Sequence, residues 1–394
     1  VSYGATTQHG ASQGAEVGTS GRVPTSAIYW SNRQRRGHSL HEVPYRACFK
    51  PELPRYFIER YSAPGDLVYD PFMGRGTTVL EAWLAGRRPA GNDANPLCRL
   101  LIEPRIDPPE IPAIQLRLAA LDLSGPDEHA EDLTVFYHPR TLGELTRLRA
   151  YFLERTLTRR LDRIDRWLRM VALTRLTGHS PGYFSVYTLP PNQAVSVEAQ
   201  RRINLRLGQA PEPRDIKAIL LKKTRSLLRT PIPESHWRAG ADEPPLLLSN
   251  DAACTPDLAS ESVMLIVTSP PFLDVVDYPA DNWLRSWFAG FHDEKVPWLM
   301  PKKLEDWESR LERCFREFDR VLMRGGHAAI EVGEVNRGRT ALEQSIVRLG
   351  GGVGWLLLDV LIQSTQFTKT AHCWGVTNNE RGTNSNRVVL FRKP

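Results

Sequence analysis

Two short runs of residues, each closing an apolar stretch, have the types and spacing to do chemistry. The first is Asp70-Pro71-Phe72-Met73-Gly74-Arg75-Gly76-Thr77-Thr78. Glycines two apart, after a strand-like run and before a helix-like one, make a tight turn whose backbone N–H groups approach a ligand. Nucleotide-type cofactors bind outside the carboxyl ends of such strands. Asp93 lies 17 residues beyond Gly76, at the end of the next strand-like run, where an acid would hold ribose hydroxyls. The alternative reading is that Asp70 and Gly74 shape a strand-to-helix turn and nothing more.

The second run is Thr268-Ser269-Pro270-Pro271-Phe272. Two consecutive prolines cannot continue a central strand, so the chain must leave the sheet at its carboxyl edge. They remove two donors, leave acceptors and fix the backbone. A conjugated exocyclic amine is a poor nucleophile. An acceptor on Ser269 and the carbonyl of Pro270 would bind its two N–H groups, draw the nitrogen toward tetrahedral geometry and free its lone pair to attack a methyl sulfonium. Phe272 would stack on the base, which must be flipped out of a duplex to reach such a cup. The alternative is a Pro-Pro turn after a strand.

The elements around these motifs follow from periodicity. The spacing predicts a helix over 54–61, a strand over 67–69, a helix over 77–85 stopped at Gly86, a strand over 89–93 and a helix from 95. That alternation is a doubly wound α/β unit. From about 105 to 243 the pattern changes to proline-rich stretches and long basic amphipathic helices, among them 142–157, 161–176 and 216–228. An extended segment over 183–193 lies between them. The α/β pattern resumes with strands over 246–251, ending in Asp251, and 263–267. Helices through 283–288 and over 304–323 follow, the second stopped by Arg324-Gly325-Gly326. A strand over 327–332 and an antiparallel pair, 355–362 with 387–391, close the sheet.

With 394 residues, 41% hydrophobic and 24% charged, the chain has the make-up of a globular protein with a large core. No apolar run is long enough to span a membrane, and the first residues lack a signal pattern, so no membrane association and a cytoplasmic location are expected. Residues 1–25 are poor in large apolar groups and read as a mobile tail. Five scattered cysteines give neither a disulfide framework nor a metal site. Residues 140–229 hold 19 Lys and Arg against 7 Asp and Glu, on a chain whose net charge is only +6. A basic segment on an otherwise acidic body points to a polyanion partner, with solvated helix faces as the alternative.

The two motifs resemble those of S-adenosylmethionine-dependent DNA amino-methyltransferases, whose cofactor motif is D-P-F-x-G-x-G-T-T and whose catalytic motif is [D/N/S]-P-P-[Y/F/W]. The Ser form, as at Ser269–Phe272, is typical of cytosine-N4 enzymes, and Asp or Asn forms of most adenine-N6 enzymes. Phe49-Lys50-Pro51-Glu52-Leu53 is similar to the K-P-x-x-L element that packs beside the cofactor's methionine end. The resemblance covers residues 45–103 and 246–394. It implies a Rossmann-like class I methyltransferase sheet, built from 26–104 and 244–394 and interrupted by a mostly helical basic insertion over 105–243. The cofactor motif precedes the catalytic one, as in the group that carries its target-recognition region between them. The wording of the motifs is closer to the group with the opposite order, which makes the chain resemble a permuted relative.

The resemblance assigns S-adenosylmethionine to Lys50, Pro51, Asp70, Phe72, Gly74, Gly76, Thr77, Asp93 and Asp251, and catalysis to Ser269, Pro270, Pro271 and Phe272. It implies double-stranded DNA as substrate and a restriction nuclease as an associated partner, and leaves the oligomeric state open. Tyr183, Tyr187, Asn192 and Gln193 in the insertion have side chains that read bases, or else serve as core aromatics and turn amides. Asp274, Asp277 and Tyr278, and further on Phe367 and Lys369, are candidates for the rim of the pocket, whereas His372-Cys373 reads as packing. Adenine-N6 methylation of DNA, base-amine methylation of RNA and non-catalytic DNA binding remain the competing readings.

Overall fold

Strand β2 (Leu67–Asp70) lies inside the sheet, and its side chains alternate between two helical layers. Val68 packs with Leu53 and Phe57 of α1 (Glu52–Tyr61). Tyr69 packs with Leu311 and Phe315 of α10 (Leu304–Val321) and Ile346 of α11 (Leu342–Gly352). This period of two is what a strand buried on both faces requires. The computed structural model describes residues 25–26, 37–126, 131–189, 193–233, 244–271, 273, 276–291, 296, 301–333, 341–364 and 385–394. The tail, Asn192, Phe272, Asp274, Phe367, Lys369, His372 and Cys373 lie outside the described residues, apart from Thr25 and Ser26 of the shortest strand.

Among the described residues, eight strands lie in the order β4 (Leu246–Leu248), β3 (Arg88–Asn92), β2, β5 (Val263–Thr268), β6 (Leu322–Gly333), β8 (Ser385–Arg392), β7 (Leu356–Ser364) and β1 (Thr25–Ser26). All neighbours run parallel except β8, which is antiparallel to both β6 and β7. This is the Rossmann-like sheet with a closing antiparallel pair that the sequence predicts. The chain winds outward from β2 through β3 to β4 and then returns to place β5 on the other side of β2. The strand order therefore reverses between β2 and β5, and a ligand crevice belongs at their carboxyl ends.

Some boundaries differ from the sequence expectation: the strand expected over 246–251 ends at Leu248, and the helix expected over 161–176 spans Arg163–Leu173. Arg324-Gly325-Gly326 does not stop α10, which ends at Val321; the three residues lie inside β6. Leu322 already pairs with Val263, and Gly325 and Gly326 exchange backbone hydrogen bonds with Lys393 at 2.9 Å each. The glycines shape an irregular strand, not a helix terminus.

Among the described residues, five α-helices lie in the insertion: α4 (Ile111–Ala120), α5 (Pro139–Leu157), α6 (Arg163–Leu173), α7 (Val197–Leu207) and α8 (Ile216–Leu227). The sequence pattern foresees α5, α6 and α8. Helix α4 starts with Pro112 in its first turn, where a missing N–H costs nothing. The insertion's described residues share their core with the rest of the chain. Ile114, Phe152, Trp167 and Leu220 join one apolar cluster with Leu80 of α2 (Thr77–Leu84), Leu101 of α3 (Pro96–Ile106) and Phe288 of α9 (Tyr278–Ala289). Among the described residues, no helix is long and apolar enough to cross a membrane.

Gly76 fixes how α2 meets α3. Its φ of +77° belongs to the left-handed region, and an added Cβ would stand 2.5 Å from Ile102 Cγ1. Arg105 of α3, fully buried, donates from Nε to Leu101 O at 2.6 Å, from one Nη to Leu40 O at 3.0 Å and from the other to Arg75 O. Gly76→Ala combines a strained backbone with a helix-packing clash, so it should cost about 2 kcal/mol of stability. A lowered urea midpoint would show this; a midpoint equal to wild type would contradict the packing described.

Candidate active site

The turn after β2 is built by the residues that end β3. Asn92 is fully buried, and its carbonyl accepts from Met73 N at 2.9 Å. Its side chain accepts from Asn250 N at 2.9 Å and donates to Asn250 O at 3.1 Å, tying in the loop after β4. Asp93 is half-buried; one carboxylate oxygen accepts from Gly74 N and the other from Asn95 N, both at 2.9 Å. Gly74 reaches this contact with φ +48°. Burial raises the Asp93 carboxyl, and the two backbone N–H groups oppose that.

Asp70, at the end of β2, accepts from Thr268 Oγ1 at 2.6 Å and from Phe72 N at 3.1 Å. It thereby joins the cofactor-type turn to the last residue of β5, immediately before Ser269. Thr78 Oγ1 adds a second link, to Val267 O at 3.1 Å.

Over these ends opens a cavity of about 280 Å³. Asp70, Phe72, Gly74, Thr77, Asp93, Asp251, Ser269 and Pro271 all line it. Gly76, Lys50, Pro51 and Pro270 stand outside the lining: Gly76 caps α2, Pro51 precedes α1, Lys50 is exposed and Pro270 is buried. Asp251 folds its carboxylate back onto Ala253 N at 3.0 Å. The Pro271 carbonyl accepts from the indole N–H of Trp307 at 2.8 Å, which anchors the Pro-Pro turn to α10.

The opposite wall is the segment Tyr45–Phe49, and Arg75 holds it there. Its guanidinium donates to His41 O at 3.3 Å, Val43 O at 3.2 Å and Phe49 O at 3.5 Å. The motif position between the two glycines thus nails one wall to the turn. Tyr45 and Tyr278 of α9 stack at 6.4 Å between centroids, and both line the cavity. Arg46 Nη1 donates to both carboxylate oxygens of Asp281 of α9 at 3.1 and 2.9 Å, and Arg285 of α9 donates to Pro44 O at 3.1 Å.

Arg310, Arg313 and Cys314 also line the cavity. They share one face of α10 at i, i+3 and i+4, a signal visible in the sequence once that face is known to meet the cofactor-type turn. Asp277 serves as the cap of α9, accepting from Ala280 N at 3.0 Å. Tyr183 is buried under the Arg175 guanidinium, 4.1 Å from its ring centroid, so it is a packing residue; Tyr187 and Gln193 are half-buried.

Comparisons with known proteins find likenesses to DNA methyltransferases. Residues 8–103 match the N6/N4 DNA methylase family model. The Type II methyltransferase M.BsoBI of Geobacillus stearothermophilus is 23% identical over 338 residues, 76% of this chain and 63% of its own. M.MjaII of Methanocaldococcus jannaschii is 36% identical over 74 residues, 19% of this chain and 14% of its own. M.MthZI of Methanothermobacter thermautotrophicus is 43% identical over 98 residues, 21% and 27% of the respective chains. The chain spans less than two thirds of the length of each. Among solved structures, a SAM-dependent methyltransferase of Methanosarcina mazei is matched over 86% of this chain and 96% of its own, at 10% identity and a TM-score of 0.34. The sequence relatives support a likeness to DNA amino-methyltransferases and do not divide cytosine-N4 from adenine-N6 enzymes.

Burial pushes the Asp70 carboxyl up to about 7, against the hydrogen bonds from Thr268 and Phe72. A carboxyl that holds its proton more tightly when folded stabilises the fold fully below its unfolded value, about 4. That contribution is lost as pH rises through the folded value. Asn at this position keeps an acceptor for Thr268 and Phe72 without ionising. Asp70→Asn should therefore gain on wild type by on the order of 2–4 kcal/mol between pH ~4 and ~8. Urea denaturation at stepped pH measures it, and a difference constant with pH would contradict the burial of the charge.

Proposed function

We propose that this protein methylates an exocyclic amino group of a flipped base in double-stranded DNA, with S-adenosylmethionine as methyl donor and cytosine N4 as acceptor. The observation that carries this reading is that the glycine turn with its acid and the Ser-Pro-Pro run open into one cavity. The residues present fit the donor. Asp93 spends one acceptor direction of each oxygen on the turn and keeps the others for hydroxyls. Phe72 offers an aromatic face beside Asp251, and Gly74 keeps a side chain off the turn.

When bound, S-adenosylmethionine supplies an electrophilic methyl group on a sulfonium. The chain's own residues supply position and polarity. Asp70 holds the turn and the Ser269 strand end in one register. Trp307 and the two prolines keep the cup from shifting. Ser269 accepts an amine N–H group, and Phe272 stacks on the base. Ser269 in place of Asp or Asn favours cytosine; adenine N6 is the alternative within the same chemistry. The insertion serves as the DNA-facing region, with Arg159, Arg160, Arg202, Arg206, Lys222 and Arg225 exposed to neutralise phosphates. A restriction nuclease of the same recognition sequence is the partner this reading implies.

Incubation with mixed-sequence duplex DNA and labelled S-adenosylmethionine, then mass spectrometry of the nucleosides, tests the reading. N4-methylcytosine is expected; N6-methyladenine would keep the mechanism and overturn the base assignment, and no modified nucleoside would overturn both. Ser269→Ala and Phe272→Ala should each lower methyl transfer by about 100-fold or more with cofactor binding largely kept. Asp93→Ala should instead weaken cofactor binding by about tenfold or more, read by calorimetry. Turnover unchanged in both cup variants would remove the catalytic assignment.

A further inference from the structure

Strand β6 carries an acid in an apolar setting that none of the roles above uses. Glu331 is 5% exposed. Thr268 pairs with Ile330 across the parallel β5–β6 ladder, so the next residues, Ser269 and Glu331, are neighbours on the same face. That face is apolar: Val267, Ala329 and Val388 pack there with Leu53 and Phe57 of α1. That register sets the Ser269 and Glu331 side chains beside each other. Ser269 lines the cavity, and Glu331 stands behind it on the neighbouring strand.

We propose that Glu331 takes up, through the Ser269 hydroxyl, the proton that the amino nitrogen sheds when it is methylated. This rests on the reading of the cavity as a site of amine methylation. The nitrogen lone pair forms the new N–C bond as the donor's C–S bond breaks, the electron pair of that bond staying on sulfur, and the nitrogen gives up one N–H. The electron pair of the N–H bond stays on nitrogen, the proton passes to Ser269 Oγ, and the Ser269 proton passes to the Glu331 carboxylate. The positive charge that arrives with the methyl donor thus ends as a proton on a carboxyl, which water later removes.

A buried carboxylate with no charged partner among the described residues is costly, and an apolar side chain would serve the packing better. Burial pushes the Glu331 carboxyl up to about 7, and the neighbouring Ser269 hydroxyl pulls the other way. Both protonation states are therefore populated near neutral pH, as a proton acceptor requires. Of the charged groups on the elements packed against this face, Arg55 of α1 is engaged by Glu81 at 2.7 Å. Arg387 of β8 pairs with Glu343 of α11 on the other face of the sheet. Lys50 and Glu52 stand at the start of α1, Glu59 and Arg60 toward its end. Glu331 acts through Ser269 and is a positioning and proton-accepting residue.

The test measures single-turnover methyl transfer to mixed-sequence duplex DNA against pH for wild type, Glu331→Gln and Glu331→Asp. Infrared difference spectra of the carboxyl band, taken on the protein alone, accompany it for wild type, Glu331→Gln and Ser269→Ala. Wild type should lose rate about tenfold per pH unit below neutrality. Glu331→Gln should be about 100-fold slower at pH 8 and lack that acid limb, and Glu331→Asp should recover part of both. The infrared band assigned by its loss in Glu331→Gln should titrate near neutrality and move in Ser269→Ala. A Gln variant with the wild-type rate and acid limb, or a band unmoved in Ser269→Ala, would overturn the proposal. Should Glu331→Gln fail to fold, Glu331→Asp assigns the band by its shift, and the same two readouts decide. Should wild type methylate no nucleic acid, the functional reading falls, while the infrared titration still decides whether Glu331 and Ser269 share a proton.

Discussion

The site depends on two adjacent residues at the end of β3. Asn92 and Asp93 satisfy backbone groups of the turn after β2 and of the loop after β4, and they do so from a largely buried position. Backbone N–H groups at a tight turn must find acceptors, because leaving one buried and unpaired costs about 1–3 kcal/mol. With Asn92 and Asp93 as those acceptors, the glycine turn can stay open toward the cavity without a ligand to complete it. The same pair sets the distance between the ends of three strands. Any nucleotide-like molecule lying across those ends meets a surface fixed before it arrives.

Arginine supplies most of the remaining rigidity. Arg75 and Arg105 together hold backbone carbonyls of residues 40–49, 75 and 101, so a wall with little regular structure is pinned to a helix and a turn. A planar guanidinium with five donors suits this task, since one side chain can engage several carbonyls at fixed angles. The cost is a desolvated cation: burial lowers the Arg105 guanidinium to about 9. Asp70 and Glu331 show the same trade in the opposite sign, as carboxyls raised by burial at the carboxyl ends of β2 and β6. The polar groups of the site are thus held where water is scarce and electrostatic interactions are strong.

Much of this was legible in the residues. The strand-turn-helix over 67–85 and the break at Pro270-Pro271 follow from local rules about glycine, proline and apolar spacing, and those elements lie within two residues of their predicted limits. The placement of Asp93 beside the turn was legible because it follows from a short spacing. Arg75 was not, because its partners lie 26 to 34 residues upstream in a segment without periodicity. Glu331 was hidden for another reason: an acid at the end of a strand gives no sign of its neighbour until the pairing of β5 with β6 is known. The Arg324-Gly325-Gly326 stretch shows the limit of composition, since glycines that commonly stop helices here accommodate a strand that bends toward Lys393.

The core that the insertion shares with the sheet's helices has a practical side. Helix α6 packs on α3 and α9, α5 packs on α9, and α4 and α8 pack on α6, all within one apolar cluster. Cutting the chain at about 105 and 243 would leave α3 and α9 with an oily flank in water and would strip the excised piece of part of its packing. Exchanging this region between proteins therefore cannot be done as one swaps a domain on a linker. A transplant must carry side chains that fit Leu101, Ile102 and Phe288, and chimeras built without them are candidates for aggregation before any question of altered recognition arises.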